Sequence, residues 1–406
     1  MSLRLKKNSI SDWAILFLTI VMLCFKDYNK LVYGTQVLVF GIILVFSNQS
    51  AGLKISKQKI KYLEYKMLFV LWCLVGYLWA AHKADVLSWS VALTVRAMTG
   101  FSIIMYADDR NRRDKLIKYM IVASVLLCVR MMISVPVSAW GAERVGNYLA
   151  HNSSNSYGNT GITYVLGIVC VYLFPKLGIF KRYWVRYFLI LLFSVFSLLS
   201  GSKKHIIILM ICILISSLLS SRSISKSLRN ILAGMVVIAL GLFVIFRNAL
   251  LYEAIGRRIL GFLSFAGFSS KVVADASSIG RGMIIQEAIR VFKQHPICGV
   301  GIANFRYYDQ YALAWAENNY LELLADVGII GAIAYYLIYF DVIKVIRSKF
   351  QRNNPDILLL LMLTICLLFV DFTMVSYANT TLQFHLACLF AFCQIERKYG
   401  DNQESI

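Results

Sequence analysis

The sequence predicts an all-α polytopic membrane protein, a single integral membrane domain over residues 1–406 with about 12 transmembrane helices. Three observations carry that expectation. Of the 406 residues 59% are hydrophobic and the mean hydropathy is +0.67, more apolar than a soluble domain, which splits into cores separated by polar surface. Apolar runs of about 15–20 residues recur along the whole chain, each about long enough to cross a hydrocarbon core of roughly 30 Å. The four prolines, Pro136, Pro175, Pro296 and Pro355, all fall between those runs, where a missing N–H costs least.

In chain order the runs lie at about 11–25, 31–47, 67–81, 88–105, 116–135, 157–174, 187–201, 205–220, 230–247, 320–341, 357–375 and 381–395. The first follows Met1-Ser-Leu-Arg-Leu-Lys-Lys without a small-residue cleavage site, so it reads as a span and not a signal peptide. Lys and Arg then fix the orientation. With the N-terminus inside, the inside segments carry 25 of these residues and the short outside loops 6. Both termini are therefore expected in the cytoplasm. A net charge of +21 raises nucleic acid first, but its distribution makes it a topology signal, and no nucleic-acid partner is expected. Of nine cysteines, eight lie inside apolar runs and Cys298 in a polar segment. No pairing suits a metal or a disulfide, so they read as small packing residues.

One outside segment is too long to be a mere connection. Residues 248–319 form an extracytoplasmic loop between the ninth and tenth runs, and loops of that size are usually functional. Within it, Gly282–Gln294 reads as an amphipathic helix with Ile285, Ala288, Ile289 and Phe292 on one face, ended by Pro296.

The loop holds Arg281-Gly-Met-Ile-Ile-Gln-Glu-Ala-Ile-Arg290, then His295-Pro-Ile-Cys-Gly-Val-Gly-Ile-Ala-Asn304-Phe305. Ala316-Glu-Asn-Asn-Tyr-Leu-Glu-Leu-Leu-Ala-Asp326-Val-Gly-Ile-Ile-Gly331 follows and enters a span. This order resembles the O-antigen polymerase and ligase superfamily of bacterial envelope glycosyltransferases: an Arg, a helix, a His/Pro–Gly–Gly turn, and a His-Asn-x-Tyr-Leu-Glu stretch entering a span. The match is good over roughly residues 277–335. Weaker echoes are Arg144-Val-Gly with His151-Asn and Asn155, and Leu199-Ser-Gly-Ser-Lys-Lys204, where the family often has Ser-Arg.

The resemblance implies a membrane glycosyltransferase of the helical GT-C-like type in the bacterial cytoplasmic (inner) membrane. Such a protein moves an oligosaccharide from an undecaprenyl-pyrophosphate carrier to an acceptor sugar at the outer face, without a metal or other cofactor. The implied partners are lipid-linked donor and acceptor oligosaccharides and membrane lipid, with a chain-length regulator and a flippase as further candidates. The donor pyrophosphate needs a cation, and an arginine fork pairs bidentately with phosphate and stays charged. Arg281 is the first candidate, against a solvated helix-start arginine. Lys203 and Lys204 would replace the family's Arg as point charges, or snorkel at the interface. Arg144 is a further candidate, as is Arg290, which has an Arg-x10-Gly spacing to Gly301 that is only weakly specific.

The acceptor hydroxyl needs a base. Here the sequence departs from the family, for Glu317-Asn318 stands where the family has His-Asn. A carboxylate can serve when burial and neighbouring charge set its proton affinity, so Glu317 is the candidate base. His151 and His295 are alternatives, His295 reading as more structural. Asn318 and Tyr320 complete the substrate-binding candidates. For Tyr320 and Trp315 an interfacial aromatic belt is the preferred alternative, while Phe305, Tyr307, Tyr308 and Tyr311 offer faces on which sugar rings stack.

Ionisable residues inside spans are costly and usually functional. Arg96, Arg130, Asp326 and Asp371 are of this kind, an Arg130–Asp371 or Arg130–Asp326 pair being the structural alternative. His385 reads as a packing residue. The first functional reading is a repeat-unit polymerase. The second is an O-antigen ligase, transferring glycan to lipid A–core. The third, a lipid-linked oligosaccharide flippase, should show paired repeats, which this sequence lacks.

Overall fold

The structure is a computed structural model that describes residues 2–26, 28–48, 57–136, 139–140, 145–149, 159–200, 204–220, 224–249, 252, 256, 276–308, 315–351 and 353–401. Among them all regular structure is helical. The helices are α1 (Ser2–Cys24), α2 (Asn29–Asn48), α3 (Lys57–Val75), α4 (Lys83–Tyr106), α5 (Arg110–Ser134) and the single turn α6 (Val145–Tyr148). They continue with α7 (Asn159–Leu173), α8 (Tyr183–Leu199), α9 (Lys204–Ser220), α10 (Ile224–Arg247), α11 (Ala276–Gln294), α12 (Asn319–Ser348), α13 (Pro355–Asp371) and α14 (Thr380–Asp401). Every expected run has its helix.

Among the described residues five helices are long and apolar enough to cross a membrane, on α2, α4, α5, α10 and α12, and shorter apolar helices accompany them. On α10 the apolar residues Leu232, Met235, Val236, Leu240, Phe243 and Val244 are all exposed. A stripe that large is tolerated facing lipid, not water. The chain is therefore a polytopic helical membrane protein. At the centre α4 packs on α2, α3 and α14, and eight of the nine cysteines are buried.

Caps explain several boundaries. The side chains of Asp109 and Asn354 accept backbone N–H bonds at the starts of α5 and α13, and Pro355 takes the first turn of α13. Three expectations shift. The third run starts at Lys57, ten residues early, because its charged first half is helical too: Tyr62 and Lys66 are buried in the bundle. Lys66 donates to Gln383 at 2.5 Å and is no loop charge. The helix before Pro296 starts at Ala276, and its buried face is Ile284, Ala288 and Val291, with Ile289 exposed. The i, i+4, i+7 spacing is as expected, but the stripe is shifted one residue from 285, 289 and 292, and it packs on Val300, Phe305, Ala316 and Ala325. Finally, Arg130 pairs with neither aspartate. It donates to the carbonyls of Cys24 (2.5 Å) and Leu149 (3.0 Å), satisfying backbone left open at helix ends.

The feature that positions the site is a break in α12. Gly328 has φ 65° and ψ −171°, so the helical ladder stops there and resumes. Residues 296–301 lie in the gap. Ile329 N–H donates to Pro296 O (3.0 Å), Val300 N–H to Ala325 O (3.0 Å) and Gly301 N–H to Asp326 O (2.7 Å). Trp72 Nε1–H covers Val327 O at 2.9 Å. Non-helical backbone in a membrane span survives only when protein satisfies it, and the carbonyls of Ala325, Asp326 and Val327 have such partners. A Cβ at Gly328 would overlap the Ile297 carbonyl, and one at Gly299 the Asp326 carbonyl. Gly328→Ala adds that overlap to a positive φ. It should destabilise by more than ~2 kcal/mol, read as a drop of several degrees in the thermal midpoint of the detergent-solubilised protein. An unchanged midpoint would mean that the break is not required.

Candidate functional site

The site forms where α12 begins. Asn318 is its N-cap, accepting from Tyr320 N–H (3.0 Å) and Leu321 N–H (3.2 Å), an interaction of about 1 kcal/mol. Buried Glu322 reaches back to Ala316 N–H at 2.6 Å. Between these anchors Glu317 has φ 49°, the left-handed region that costs a non-glycine residue about 1–2 kcal/mol. The two anchors leave Glu317 no relaxed alternative, and its carboxylate meets Arg281 Nε at 2.5 Å. The partners are 36 residues apart in sequence. Both side chains are nearly half exposed (44% and 46%), so the pair adds little to stability and is open to exchange.

Lys204, the first residue of α9, lies within electrostatic reach of both Arg281 and Glu317. Its ammonium donates to Tyr164 Oη (2.9 Å) and to the carbonyl of Thr373 (2.5 Å). Two cations and one carboxylate thus converge from α9, α11 and α12, with Tyr164 of α7 and the α13–α14 turn beneath them. A point charge and a planar fork suit an anion with several oxygens, and the carboxylate suits a proton. Among the described residues no cluster of three or more His, Cys, Asp or Glu side chains could hold a metal ion.

Two buried aspartates hold the supports. Asp326 accepts from Ala303 N–H (2.9 Å), Phe305 N–H (2.8 Å) and Tyr377 Oη–H (2.7 Å), pinning the loop after α11 to α12. Asp371 accepts from Tyr336 Oη–H (2.8 Å) and Asn319 Nδ2–H (3.4 Å). Asn319 Oδ1 in turn accepts Tyr377 N–H at 3.1 Å. This fixes the turn whose Thr373 carbonyl holds Lys204.

The other expected residues are placed as follows. Arg290 is occupied by Glu287 (2.7 Å) and the Tyr308 carbonyl (2.9 Å), tying α11 to the following loop. His295 is exposed at the end of α11. Asn318 is a cap. Tyr320 donates to Leu368 O (2.9 Å) and stacks on Tyr336, so it packs between helices. Arg96 donates to Tyr377 O at 3.3 Å and lies over Trp89. His385 Nδ1 meets Tyr172 Oη at 2.9 Å. Arg144, His151, Lys203 and Tyr311 lie outside the described residues. Sequence reasoning missed Tyr164 and the Thr373 carbonyl. A tyrosine in an apolar run and a backbone oxygen carry no signal of their own.

The break, the cap and the converging cations fall within one continuous stretch of sequence. Residues 188–336 match the O-antigen ligase family. The match runs from α8 into α12 and includes Lys204, Arg281 and Glu317, and it supports the O-antigen polymerase and ligase superfamily. A search of curated proteins gives no match. Family members of this kind are membrane glycosyltransferase-like enzymes.

Asp326→Ala would leave two buried amides and a buried hydroxyl without an acceptor. At about 1–3 kcal/mol each, a loss of ~3 kcal/mol or more is expected. Limited proteolysis of the purified protein should then cut within 295–308, where the wild type resists. Equal resistance would show that the loop is held by other contacts.

Proposed function

We propose that the protein polymerises undecaprenyl-pyrophosphate-linked oligosaccharide repeat units into a surface polysaccharide, O-antigen or capsule, at the outer face of the bacterial cytoplasmic membrane. The observation that carries this reading is the Arg281–Glu317 contact with Lys204 beside it, inside the family match. On this reading the chain spans the membrane twelve times in a GT-C-like arrangement, both termini are cytoplasmic, and residues 248–319 form the extracytoplasmic loop.

The donor pyrophosphate displaces the Glu317 carboxylate from Arg281 and is held by the Arg281 fork and the Lys204 ammonium. Glu317, released, takes the proton of the acceptor hydroxyl. The acceptor oxygen then bonds to the anomeric carbon. The bond from that carbon to the pyrophosphate oxygen breaks, and its electron pair leaves on undecaprenyl pyrophosphate. The two cations neutralise that leaving-group charge, so they contribute where charge develops.

A ligase reading has one specific support, the description of the matching family. A deletion strain separates the two. Single capped repeats on lipid A–core mark a polymerase, and long lipid-linked polymer marks a ligase.

Complementation with Arg281→Ala should lose the polysaccharide ladder on a gel, turnover falling by about 10²–10³-fold as for loss of one charge-stabilising donor. A wild-type ladder would remove the pyrophosphate assignment. Glu317→Gln should behave differently. Turnover of purified protein falls by about 10²–10⁴-fold, while KM for the lipid-linked donor stays level or drops, because the competitor for Arg281 is gone. A raised KM at unchanged kcat would make Glu317 a binding group and not the base.

A further inference from the structure

A pocket opens at the far end of α11. Its volume is about 340 Å³ and it is lined by Trp79, His295, Ile297, Cys298, Val300 and Tyr308 among others. That volume lies within the range of small-molecule sites. Resting on the function proposed above, we propose that this pocket is a saccharide subsite, holding a sugar residue of the lipid-linked oligosaccharide at a distance from its pyrophosphate.

The rings are set by backbone and side-chain bonds that leave their useful edges unused. Trp79 Nε1–H donates to Gly299 O at 3.0 Å, which fixes the indole plane at the pocket wall. The carbonyl of His295 accepts Gly299 N–H at 3.0 Å, and the carbonyl of Tyr308 accepts Arg290 at 2.9 Å. The two rings meet edge to face, 6.2 Å apart. Among the described residues no hydrogen-bond partner is recorded for the His295 imidazole or the Tyr308 hydroxyl. The lining is thus three flat faces with two free polar tips.

That chemistry selects a sugar over a polyprenyl tail. A pyranose presents a face of C–H groups to an aromatic plane and a rim of hydroxyls to donors and acceptors. A hydrocarbon tail would cover the imidazole and phenol tips and leave them without partners, which costs free energy. The geometry adds reach. Arg281 and Gln294 lie on one straight helix, so the pocket is about 20 Å from the pyrophosphate site by the helical rise. A glycan leaving Arg281 and running along α11 would arrive there after several sugar residues. A site so placed reads the identity of the repeat, not the bond that is made.

The test uses the whole protein in lipid nanodiscs. The probe is the free oligosaccharide released by mild acid from the lipid-linked pool that a deletion strain accumulates. Titration calorimetry and saturation-transfer NMR should detect binding to the wild type. The double variant His295→Ala/Tyr308→Phe should bind at least tenfold more weakly with an unchanged thermal midpoint, and Trp79→Phe, which keeps a ring but loses its anchor, should fall between. Wild-type affinity in the double variant overturns the subsite while leaving the polymerase reading intact. Displacement of the oligosaccharide by farnesyl phosphate would make the pocket a lipid-tail site and equally overturns it. A deletion strain that accumulates long lipid-linked polymer in place of single capped repeats removes the polymerase reading, and the subsite with it.

Discussion

The architecture around the site depends on one backbone event, the interruption of α12 at Gly328. A helix that ran straight through would have no free carbonyls at Ala325 and Asp326 and no place for residues 296–301. The interruption frees hydrogen-bonding groups inside an otherwise regular helix, and the loop after α11 supplies their partners. Loop and helix therefore require each other. Asp326 adds the side-chain half of the lock, its two oxygens accepting from both sides of the 303–305 turn. With the loop fixed, α11 is fixed as well, through the small cluster of Ala288, Val291, Val300, Phe305, Ala316 and Ala325. That is how a helix outside the main bundle can deliver Arg281 to a defined place.

The same lock explains the posture of Glu317. The helix start beyond it is capped by Asn318, and the chain before it is held by Glu322 at Ala316. The left-handed conformation left between them is strained, and strain at an exposed carboxylate has no structural benefit of its own. Its effect is to keep a negative charge against Arg281 in a pair that solvent already weakens. On the proposed function, the donor pyrophosphate would displace this carboxylate by offering more oxygens to the same fork and engaging Lys204 too.

Much of this was legible in the sequence, but unevenly. Hydropathy found every apolar helix because lipid imposes its constraint on each segment separately. The family pattern found Arg281 and Glu317 as separate candidates, and it named Asn318 without showing that its side chain caps α12. Their pairing could not be read, since it depends on α11 docking to α12 through contacts 20 or more residues apart. Lys66 and Arg130 show the opposite failure. One looked like a loop charge and is buried against Gln383, and the other, read as a functional candidate with an aspartate pair as its structural alternative, holds two carbonyls. Charge in a sequence announces a cost but not the partner that offsets it, because backbone oxygens at helix ends are invisible to residue patterns.

Lys204 brings these threads together. It sits at the N-terminus of α9, where the helix dipole favours an anion, and it donates to two neutral groups, a tyrosine hydroxyl and a peptide carbonyl. Arg281 has the opposite arrangement, a charged partner in an exposed pair. One cation is thus held by neutral contacts and the other by a carboxylate. On the proposed function, an anion that engages both would release that carboxylate to act as the base. Binding of the leaving group and activation of the nucleophile would then be a single equilibrium. That coupling needs only the 2.5 Å contact and the lysine beside it.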